Sequence, residues 1–278
     1  MVKKLTIIIH IIAWIIAAIW IIPFIGVFMA SIRPYSEINK GWWNFNPFSL
    51  TFEGFFNAEN YLSSISLSRS IMNSLIVAVP ATFIPILVAS LAAYSFARFK
   101  FPTRDLLFLV IVLLQTIPQQ AVIVPLFNIA RNLHLLNTYI SLILVHTAFG
   151  LPWIILFLRN FFSTLPVEIE EAAIIDGASH WKVFYKIVLP LSLPALASVI
   201  ALQFVWVWND FFFALTLIQA PEMRLSTQVI ATMATDRFFL DWNMVSAASL
   251  LVMIVPIAIY AALQRYYVRG LVAGAVKG

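Results

Sequence analysis

The sequence predicts an all-α polytopic membrane protein that crosses the bilayer with six helices. Two properties of the composition support this fold class, since 62% of the 278 residues are hydrophobic and only 10% are charged. Soluble domains carry about 25% charged residues, so most of this chain must contact lipid. The third observation is that the apolar residues form long runs, and a helix needs about 20 such residues to cross the hydrocarbon.

Six apolar runs meet the length requirement for a transmembrane helix. The first run follows Lys3 and Lys4 and has 25 residues. It is longer than the apolar core of a signal peptide, about 7–15 residues, so we expect it to stay attached as a span. Prolines inside the runs are expected to kink or end helices. The predicted spans are Leu5–Met29, Ile71–Phe96, Leu106–Ile129, Tyr139–Leu158, Leu189–Ile218 and Val245–Tyr267.

The distribution of lysine and arginine predicts that both termini are cytoplasmic. An even number of spans places the termini on one side, and short cytoplasmic loops carry an excess of basic residues. With this orientation 11 of the 17 basic residues are cytoplasmic, and the bias is strongest in the loop Arg98–Arg104. We therefore interpret the basic residues behind the net charge of +5 as determinants of how the chain is oriented in a plasma or inner membrane. No basic stripe typical of nucleic-acid binding is present in the sequence.

The first extracytoplasmic loop, residues 31–68, combines aromatic side chains with asparagines. Aromatic side chains concentrate at membrane–water interfaces, so one interpretation is an interfacial belt with a short surface helix. A docking surface for a partner protein is the other interpretation, and both remain open. The aromatic residues are Trp42, Trp43, Phe45, Phe48, Phe55, Phe56 and Tyr61.

The segment Ser163–Lys186 is too polar to span a membrane, yet its composition predicts helices. Pro166 suits the first turn of a helix, and the glutamates that follow oppose the positive end of the helix dipole. Asp176 and Gly177 interrupt this helix, because Gly supplies the positive φ that a turn requires. We therefore expect a helix-turn-helix at the cytoplasmic face, with small residues that let another protein approach closely.

The order and spacing of residues in this segment resemble the EAA loop of permease subunits in binding-protein-dependent ABC importers. The matching positions are Glu171-Ala172-Ala173, Asp176-Gly177-Ala178, Phe184, Ile187, Leu189-Pro190 and Pro194. The resemblance extends over nearly the whole chain and is greatest to the carbohydrate branch, in particular its smaller, maltose-permease-type subunit. Further positions that carry it are Asn73-Ser74-Leu75, Ala92-Ala93-Tyr94, Arg98-Phe99, Ile123-Val124-Pro125-Leu126, Pro152, Trp208-Asn209-Asp210 and Arg269-Gly270-Leu271.

The resemblance implies a type I importer fold and a division of the chain into three parts. Residues 1–68 hold the first span and outer loop, residues 69–268 form the permease core with coupling helices at 163–186, and residues 269–278 form the cytoplasmic C-terminal tail. The glycine-rich composition of Gly270–Lys277 separately predicts that this tail is flexible. It also implies that the ATPase docks on Glu171, Ala172, Ala173, Asp176, Gly177, Ala178 and Phe184, and that the tail makes contacts through Gly274 and Lys277.

The partners implied by the resemblance are a second, related permease subunit, a cytoplasmic ATPase dimer and an extracytoplasmic sugar-binding protein. The sequence has no phosphate loop of the G-x-x-x-x-G-K-[ST] type, so we expect ATP and Mg²⁺ to bind the partner ATPase rather than this chain. The expected role is a non-catalytic half of the translocation pore. Asp176, Ser179 and His180 are too close in sequence to favour a catalytic triad, and the four histidines are too dispersed for a metal site.

Asp210 is a carboxylate in an otherwise apolar run, and such an ion is a functional candidate because burying it in lipid is costly. Aromatic and amide side chains near it could stack and hydrogen-bond a sugar, whereas the same groups could simply lock helices together. Both interpretations remain open. We expect His10 and His146 to bond neighbouring carbonyls. The candidate pathway residues are Trp206, Trp208, Asn209 and Asp210, with Gln115 and Gln119 as a second group that also suits packing.

Other functions remain as alternatives. A secondary, ion-coupled carrier fits the spans and Asp210, although carriers usually show inverted halves or several buried ion-coupling groups. An intramembrane enzyme fits less well, because acid–base catalysis usually requires a pair of carboxylates or a histidine. An ABC importer permease for a solute other than sugar is the third alternative, since the sequence does not identify the substrate.

Overall fold

A computed structural model of the protein describes residues 2–236 and 240–275. The described chain is mainly helical, because a backbone in lipid must satisfy its hydrogen bonds within the segment. Four of its helices are long and apolar enough to cross a membrane, and two bent helix pairs bring the number to six if each pair is one span. The predicted all-α class with six spans is confirmed in this sense.

The helices follow each other without an intervening sheet in the described chain. A π-helical turn, Phe184–Val188, and a 3₁₀ turn, Pro221–Met223, interrupt the α-helical series. In chain order the α-helices are α1 (Val2–Ser31), α2 (Tyr35–Ile38), α3 (Glu53–Asn60), α4 (Leu67–Arg98), α5 (Arg104–Leu114), α6 (Gln119–Asn132), α7 (Tyr139–Phe162), α8 (Val167–Ile175), α9 (His180–Val183), α10 (Leu189–Leu191), α11 (Leu193–Trp208), α12 (Phe212–Leu217), α13 (Ser226–Thr235) and α14 (Trp242–Ala275).

The third predicted span is broken rather than continuous. α5 and α6 are bent by 95° across residues 115–118, where Pro118 precedes α6 and has an extended backbone. Proline lacks the N–H that would continue the helix, and it restricts the residue before it. The predicted span Leu106–Ile129 thus consists of two helices, and Pro118, one of the prolines expected to kink or end helices, stands at the break between them.

Two other predicted spans differ from the structure at their ends. The fifth was expected over Leu189–Ile218, but α11 ends at Trp208 and α12 begins only at Phe212. The helix pair His180–Leu191 and Leu193–Trp208 is bent by 74°, so the apolar run includes a bend and a break. α14 extends to Ala275, so the segment from residue 269 that was expected to be flexible is helical as far as it is described.

One compact unit consists of Met1–Ile71 and Ser226–Ile254. The side-chain Nδ2 of Asn243 donates hydrogen bonds to the backbone carbonyls of Ala30, Ser31 and Arg33 at 2.8–3.0 Å. These bonds connect the start of α14 to the end of α1. Arg33 is 1% exposed and pairs with Glu37 at 3.0 Å. A hydrogen bond from Ser49 is the main influence that lowers the pKa of the Glu37 carboxyl, and Arg33 acts in the same direction. These contacts order the outer loop, in which the expected short surface helix appears as α2 and α3.

The second compact unit consists of Met72–Leu225 and Val255–Gly278. Its hydrophobic core joins α4, α7, the π-helical turn and α11, and it lies beside the helix-turn-helix segment. This core holds the segment and the helices that follow it in fixed positions. Among the buried members are Ala89, Ala93, Tyr94, Ile154, Leu158, Phe162, Val183, Phe184, Val188 and Val199.

Candidate functional site

The predicted helix-turn-helix is present as α8 and α9, and its turn has a specific hydrogen-bonding pattern. The N–H of Ala178 donates to the carbonyl of Ala173, and the N–H of Gly177 donates to the carbonyl of Ile174, both at 2.9 Å. This is the Schellman pattern, in which the residue after the helix adopts a left-handed backbone. Gly177 has φ +85°, which explains why glycine occupies this position.

The residues around this turn form an exposed surface, which we call the coupling surface: Glu171, Ala172, Ile175, Asp176, Gly177 and Trp181. Ile175 is 85% exposed and Trp181 is 62% exposed, although both are large apolar side chains. A Cβ atom added at Gly177 would have no atom within 4 Å. Ala173 and Ala178 are half-buried against the hydrophobic core. The surface is therefore apolar at its centre, acidic in part and open to a partner.

Phe184, expected among the docking residues, is not part of this surface. It is 4% exposed, and its ring packs against Tyr94 with a centroid distance of 5.1 Å. The reason is that the π-helical turn directs this side chain into the hydrophobic core. Phe184 thus anchors the segment from inside.

A buried ion pair that the sequence analysis did not identify attaches α8 to α4. The Nε of Arg98 donates to Oε1 of Glu170 at 2.7 Å, and the hydroxyl of Tyr94 donates to Oε2 at 3.0 Å. Arg98 also donates to the carbonyl of Leu165 at 3.1 Å, just before α8. Glu170 is 5% exposed, whereas its neighbour Glu171 is exposed. Adjacent glutamates therefore have different roles, one anchoring the segment and the other facing outward.

The three residues weighed as a catalytic triad have local structural roles. The Ser179 hydroxyl accepts the N–H of Lys182 at 3.3 Å and caps α9. The His180 ring lies edge-on against Phe99, with a centroid distance of 5.2 Å. Asp176 follows the last residue of α8 and is exposed. These contacts fit a helix cap and a packed ring, not a nucleophile with its base.

The second candidate region is a cavity of about 580 Å³ beside the break between α5 and α6. Irregular backbone within a span is tolerated only where it is buried in protein or lines a water-filled cavity. Broken helices of this kind surround substrate sites in transporters. The lining residues are Leu114, Gln115, Ile117, Pro118, Gln119, Val122, Leu126, Ala148, Phe149, Pro152, Trp153 and Trp206.

The structure brings together three of the six residues predicted for the pathway. Gln115, Gln119 and Trp206 line the cavity. Trp208 does not line it, because its ring is 2% exposed and stacks on Phe204 at a centroid distance of 5.5 Å. Asn209 is the C-cap residue that follows α11. It is exposed and does not line the cavity.

Asp210 caps a helix instead of lining the cavity. Its carboxylate accepts hydrogen bonds from the N–H groups of Phe213 and Ala214, in the first turn of α12, at 3.2 and 3.0 Å. Its Oδ2 lies 3.5 Å from Nε2 of His146, which is 1% exposed. Asp210 was interpreted either as a pathway residue or as a residue that holds helices together, and these contacts favour the second interpretation.

His10 and His146 were both expected to bond a neighbouring carbonyl, and the structure shows such a contact for His10 alone among the described residues. His10 lies 2.7 Å from the carbonyl of Thr6 through Nδ1. Neither ring nitrogen of His146 has a hydrogen-bond partner among the described residues, so the prediction was wrong there. Its ring instead lies edge-on against Trp206 and Phe213, each with a centroid distance of 5.6 Å.

The C-terminal residues Gly274 and Lys277 were expected to make contacts with a partner. Gly274 lies in the last turn of α14, and Lys277 lies outside the described residues. The histidines and carboxylates of the described ranges form no group of three that could hold a metal ion.

Comparisons with known proteins agree with this architecture. Residues 85–272 match the family described as the binding-protein-dependent transport system inner membrane component. The probable ABC transporter permease protein of Pyrococcus horikoshii is 51% identical over 268 residues, covering 96% of each chain. The alpha-glucoside transport system permease protein AglG of Rhizobium meliloti is 43% identical over 232 residues, covering 80% of this chain and 61% of that protein.

A solved structure shows the same fold. One chain of a bacterial ABC transporter involved in the import of the acidic polysaccharide alginate superposes with a TM-score of 0.79 at 22% identity, covering 95% of this chain and 97% of that chain. The family match spans most of the helical core, including the coupling surface and the cavity. The chain therefore belongs to the family of inner-membrane components of binding-protein-dependent transport systems.

Proposed function

We propose that this chain is the transmembrane permease subunit of an ATP-driven sugar importer and forms half of its translocation pore. The observation that carries the proposal is the coupling surface, an exposed apolar turn fixed to the membrane helices by a buried ion pair. Family membership supports the transport role, and the relative named for alpha-glucoside transport supports a sugar as the transported solute. This chain is non-catalytic in the proposal, and energy comes from ATP and Mg²⁺ bound by partner ATPase subunits.

The coupling surface is proposed to face the cytoplasm and bind the ATPase dimer. Exposed apolar side chains such as Ile175 and Trp181 are costly in water, so their presence beside small residues fits a protein partner. The left-handed Gly177 lets that partner approach the backbone. Gly274, in the last turn of α14, and Lys277 are proposed as a second contact with the ATPase.

The cavity beside the broken span is proposed to line the sugar pathway. Its size falls within the range of ligand sites, about 300–1,000 Å³, and it combines apolar walls with a few polar groups. A second, related permease subunit would supply the other half of the pore. An extracytoplasmic sugar-binding protein would deliver the substrate, and the description of the family supports dependence on a binding protein.

Substitutions of Gly177 test the coupling role. Gly177→Val should abolish ATP-driven uptake and co-purification of the ATPase, because a β-branched residue strongly disfavours φ +85° and projects into the partner's side of the surface. Gly177→Asn is the matched control for backbone strain, since asparagine tolerates a left-handed backbone. Asparagine still adds a side chain, so loss of ATPase binding in both variants, with normal amounts in the membrane, assigns the defect to the interface.

The measurements are ATPase co-purification and uptake into proteoliposomes with the binding protein present. Full uptake and ATPase binding by Gly177→Val would contradict the coupling role. Uptake driven by an ion gradient without any ATPase would instead indicate a secondary carrier. ATP-driven uptake restricted to solutes other than sugars would keep the importer role and reject the substrate class.

A further inference from the structure

The cavity beside the broken span is lined without any charged side chain among the described residues. Its polar lining groups include the amides of Gln115 and Gln119, and its largest rings are Trp153 and Trp206. Amides donate and accept hydrogen bonds without carrying charge, so they suit hydroxyl groups better than carboxylates. A broad indole face suits the apolar face of a sugar ring.

Trp153, which the sequence analysis did not select, is held in place from behind the cavity wall. Its indole N–H donates to Oε1 of Gln203 at 3.1 Å. Gln203 is 0% exposed, and its amide nitrogen donates to the carbonyls of Ala81 at 3.1 Å and His146 at 3.4 Å. A Cβ atom at Gly150 would lie 2.7 Å from the amide nitrogen of Gln203, so glycine provides the space for this contact.

Trp206 is positioned by a second set of buried groups. The ring of His146 lies edge-on against it with a centroid distance of 5.6 Å. His146 in turn lies 3.5 Å from Asp210, which caps α12. Both tryptophans of the cavity wall are thus supported by buried polar side chains that do not line the cavity. Such support is what a binding site needs to keep its contact groups in one geometry.

We infer that this cavity is a binding subsite for the rings of a neutral sugar, with Trp153 and Trp206 as stacking faces and Gln203 as the residue that positions Trp153. The inference rests on the proposed function and narrows its substrate class. A uronate-containing sugar would bring a carboxylate into a site whose lining, as described, holds no charged side chain, and an unpaired charge in an apolar cavity is strongly unfavourable. The subsite therefore selects uncharged over acidic sugars.

The test uses the assembled importer in proteoliposomes with its binding protein. The probes are glucose, maltose, trehalose and melibiose as neutral sugars, with glucuronate and digalacturonate as acidic counterparts. Uptake gives KM and kcat for each sugar, and ATPase activity with and without the binding protein reports coupling separately. Trp14→Leu is the control, because Trp14 is 75% exposed on α1 and does not line the cavity.

Trp153→Leu should raise KM for a transported neutral sugar by about 3- to 10-fold, the range expected for loss of one aromatic stacking contact. The amount of assembled complex should stay near that of Trp14→Leu. Trp153→Phe and Gln203→Met should each give a smaller rise. Their effects should not add in the double variant, because Gln203 acts on the sugar through Trp153.

The outcomes separate this inference from the proposed function. Three results would overturn the subsite: an unchanged KM in Trp153→Leu, additive effects of Trp153→Phe and Gln203→Met, or preferred uptake of the acidic sugars. Stimulated ATPase activity in the same experiments would still support the importer role. Stimulated ATPase activity without uptake of any neutral sugar in the panel would likewise overturn it. Absence of any ATPase coupling would count against the proposed function itself.

Discussion

Removal of the Glu170 carboxylate should destabilise the protein far more than removal of its neighbour Glu171. Glu170 is 5% exposed and receives hydrogen bonds from Arg98 at 2.7 Å and from Tyr94 at 3.0 Å, whereas Glu171 is exposed. Glu170→Ala leaves the Arg98 guanidinium, whose side chain is only 10% exposed, without its carboxylate. The two variants delete the same side chain one position apart, so they form a matched pair.

The size of the effect follows from the burial of the ion pair. Breaking a buried pair by removing one partner costs about 3–5 kcal/mol, because the remaining charge is left uncompensated. Arg98 keeps a hydrogen bond to the carbonyl of Leu165 at 3.1 Å, so we expect the lower end of that range, about 3 kcal/mol. For a chain of this size the midpoint of thermal unfolding should fall on the order of 10 °C. Glu171→Ala should change it by less than about 2 °C.

Thermal unfolding of the purified chain in detergent, monitored by tryptophan fluorescence, gives the stability part of the assay. Co-purification of the ATPase gives the second part. Glu170→Ala should lose both stability and ATPase binding, whereas Glu171→Ala should weaken ATPase binding with little change in stability.

A double substitution provides the control for the ion-pair argument. Glu170→Leu combined with Arg98→Leu removes both charges, so it should destabilise less than the sum of the two single substitutions. Equal midpoints for Glu170→Ala and Glu171→Ala would refute the role assigned to the buried pair. Additive losses in the double variant would refute the coupling between Glu170 and Arg98.

Two further predictions concern topology and pH. In this cysteine-free chain, Lys40→Cys should react with an impermeant thiol reagent added to intact cells and Lys100→Cys should not, whereas labelling of Lys100→Cys from outside would contradict the cytoplasmic assignment of that loop. Burial, and then the hydrogen bond to Asp236, raise the pKa of Tyr61 to about 12 from its ordinary value of 10. Stability from this contact is present below pH 10 and is lost as pH rises through about 12, so the fall in the unfolding midpoint between these values should be smaller in Tyr61→Phe.

The positions of the spans could be predicted from the sequence, but which of the prolines breaks a span could not. Pro80 and Pro85 lie inside α4 and Pro152 lies inside α7, so proline alone does not end a helix in this protein. Pro118 does stand at a break, where the helices on either side are bent by 95°. The difference depends on whether neighbouring groups satisfy the freed carbonyls, and a single sequence does not contain that information.

The parts of the candidate site that depend on neighbouring residues in the sequence were predicted, and the parts that depend on contacts between distant residues were missed. The turn at Gly177 follows from the residues beside it in sequence, and so does the exposed character of Asp176. The partners of Glu170, 72 and 76 residues away in the chain, and the contact of Trp153 with Gln203, 50 residues away, depend on how helices pack. A buried glutamate next to an exposed one gives no sequence signal that separates them.

Asp210 shows how a correct signal can lead to an incomplete interpretation. An ionisable residue in an apolar run was rightly singled out, because its charge must be compensated. Here the N–H groups of Phe213 and Ala214 donate hydrogen bonds to the carboxylate and provide that compensation. The carboxylate therefore orders the start of α12 and the wall behind Trp206, and it does so without lining the cavity.

The coupling surface and the cavity are joined by one short stretch of chain. The helix that begins at His180 leads through the π-helical turn to a 74° bend at Ser192, and α11 then carries Trp206 into the cavity wall. Fourteen residues of helix between Ser192 and Trp206 span about 21 Å. Phe184 fixes the near end of this stretch in the core, and the Ser192 hydroxyl is buried without a hydrogen-bond partner among the described residues. A change in the bend at Ser192 would therefore move Trp206 relative to Gln119, and this gives a structural route from the coupling surface to the cavity.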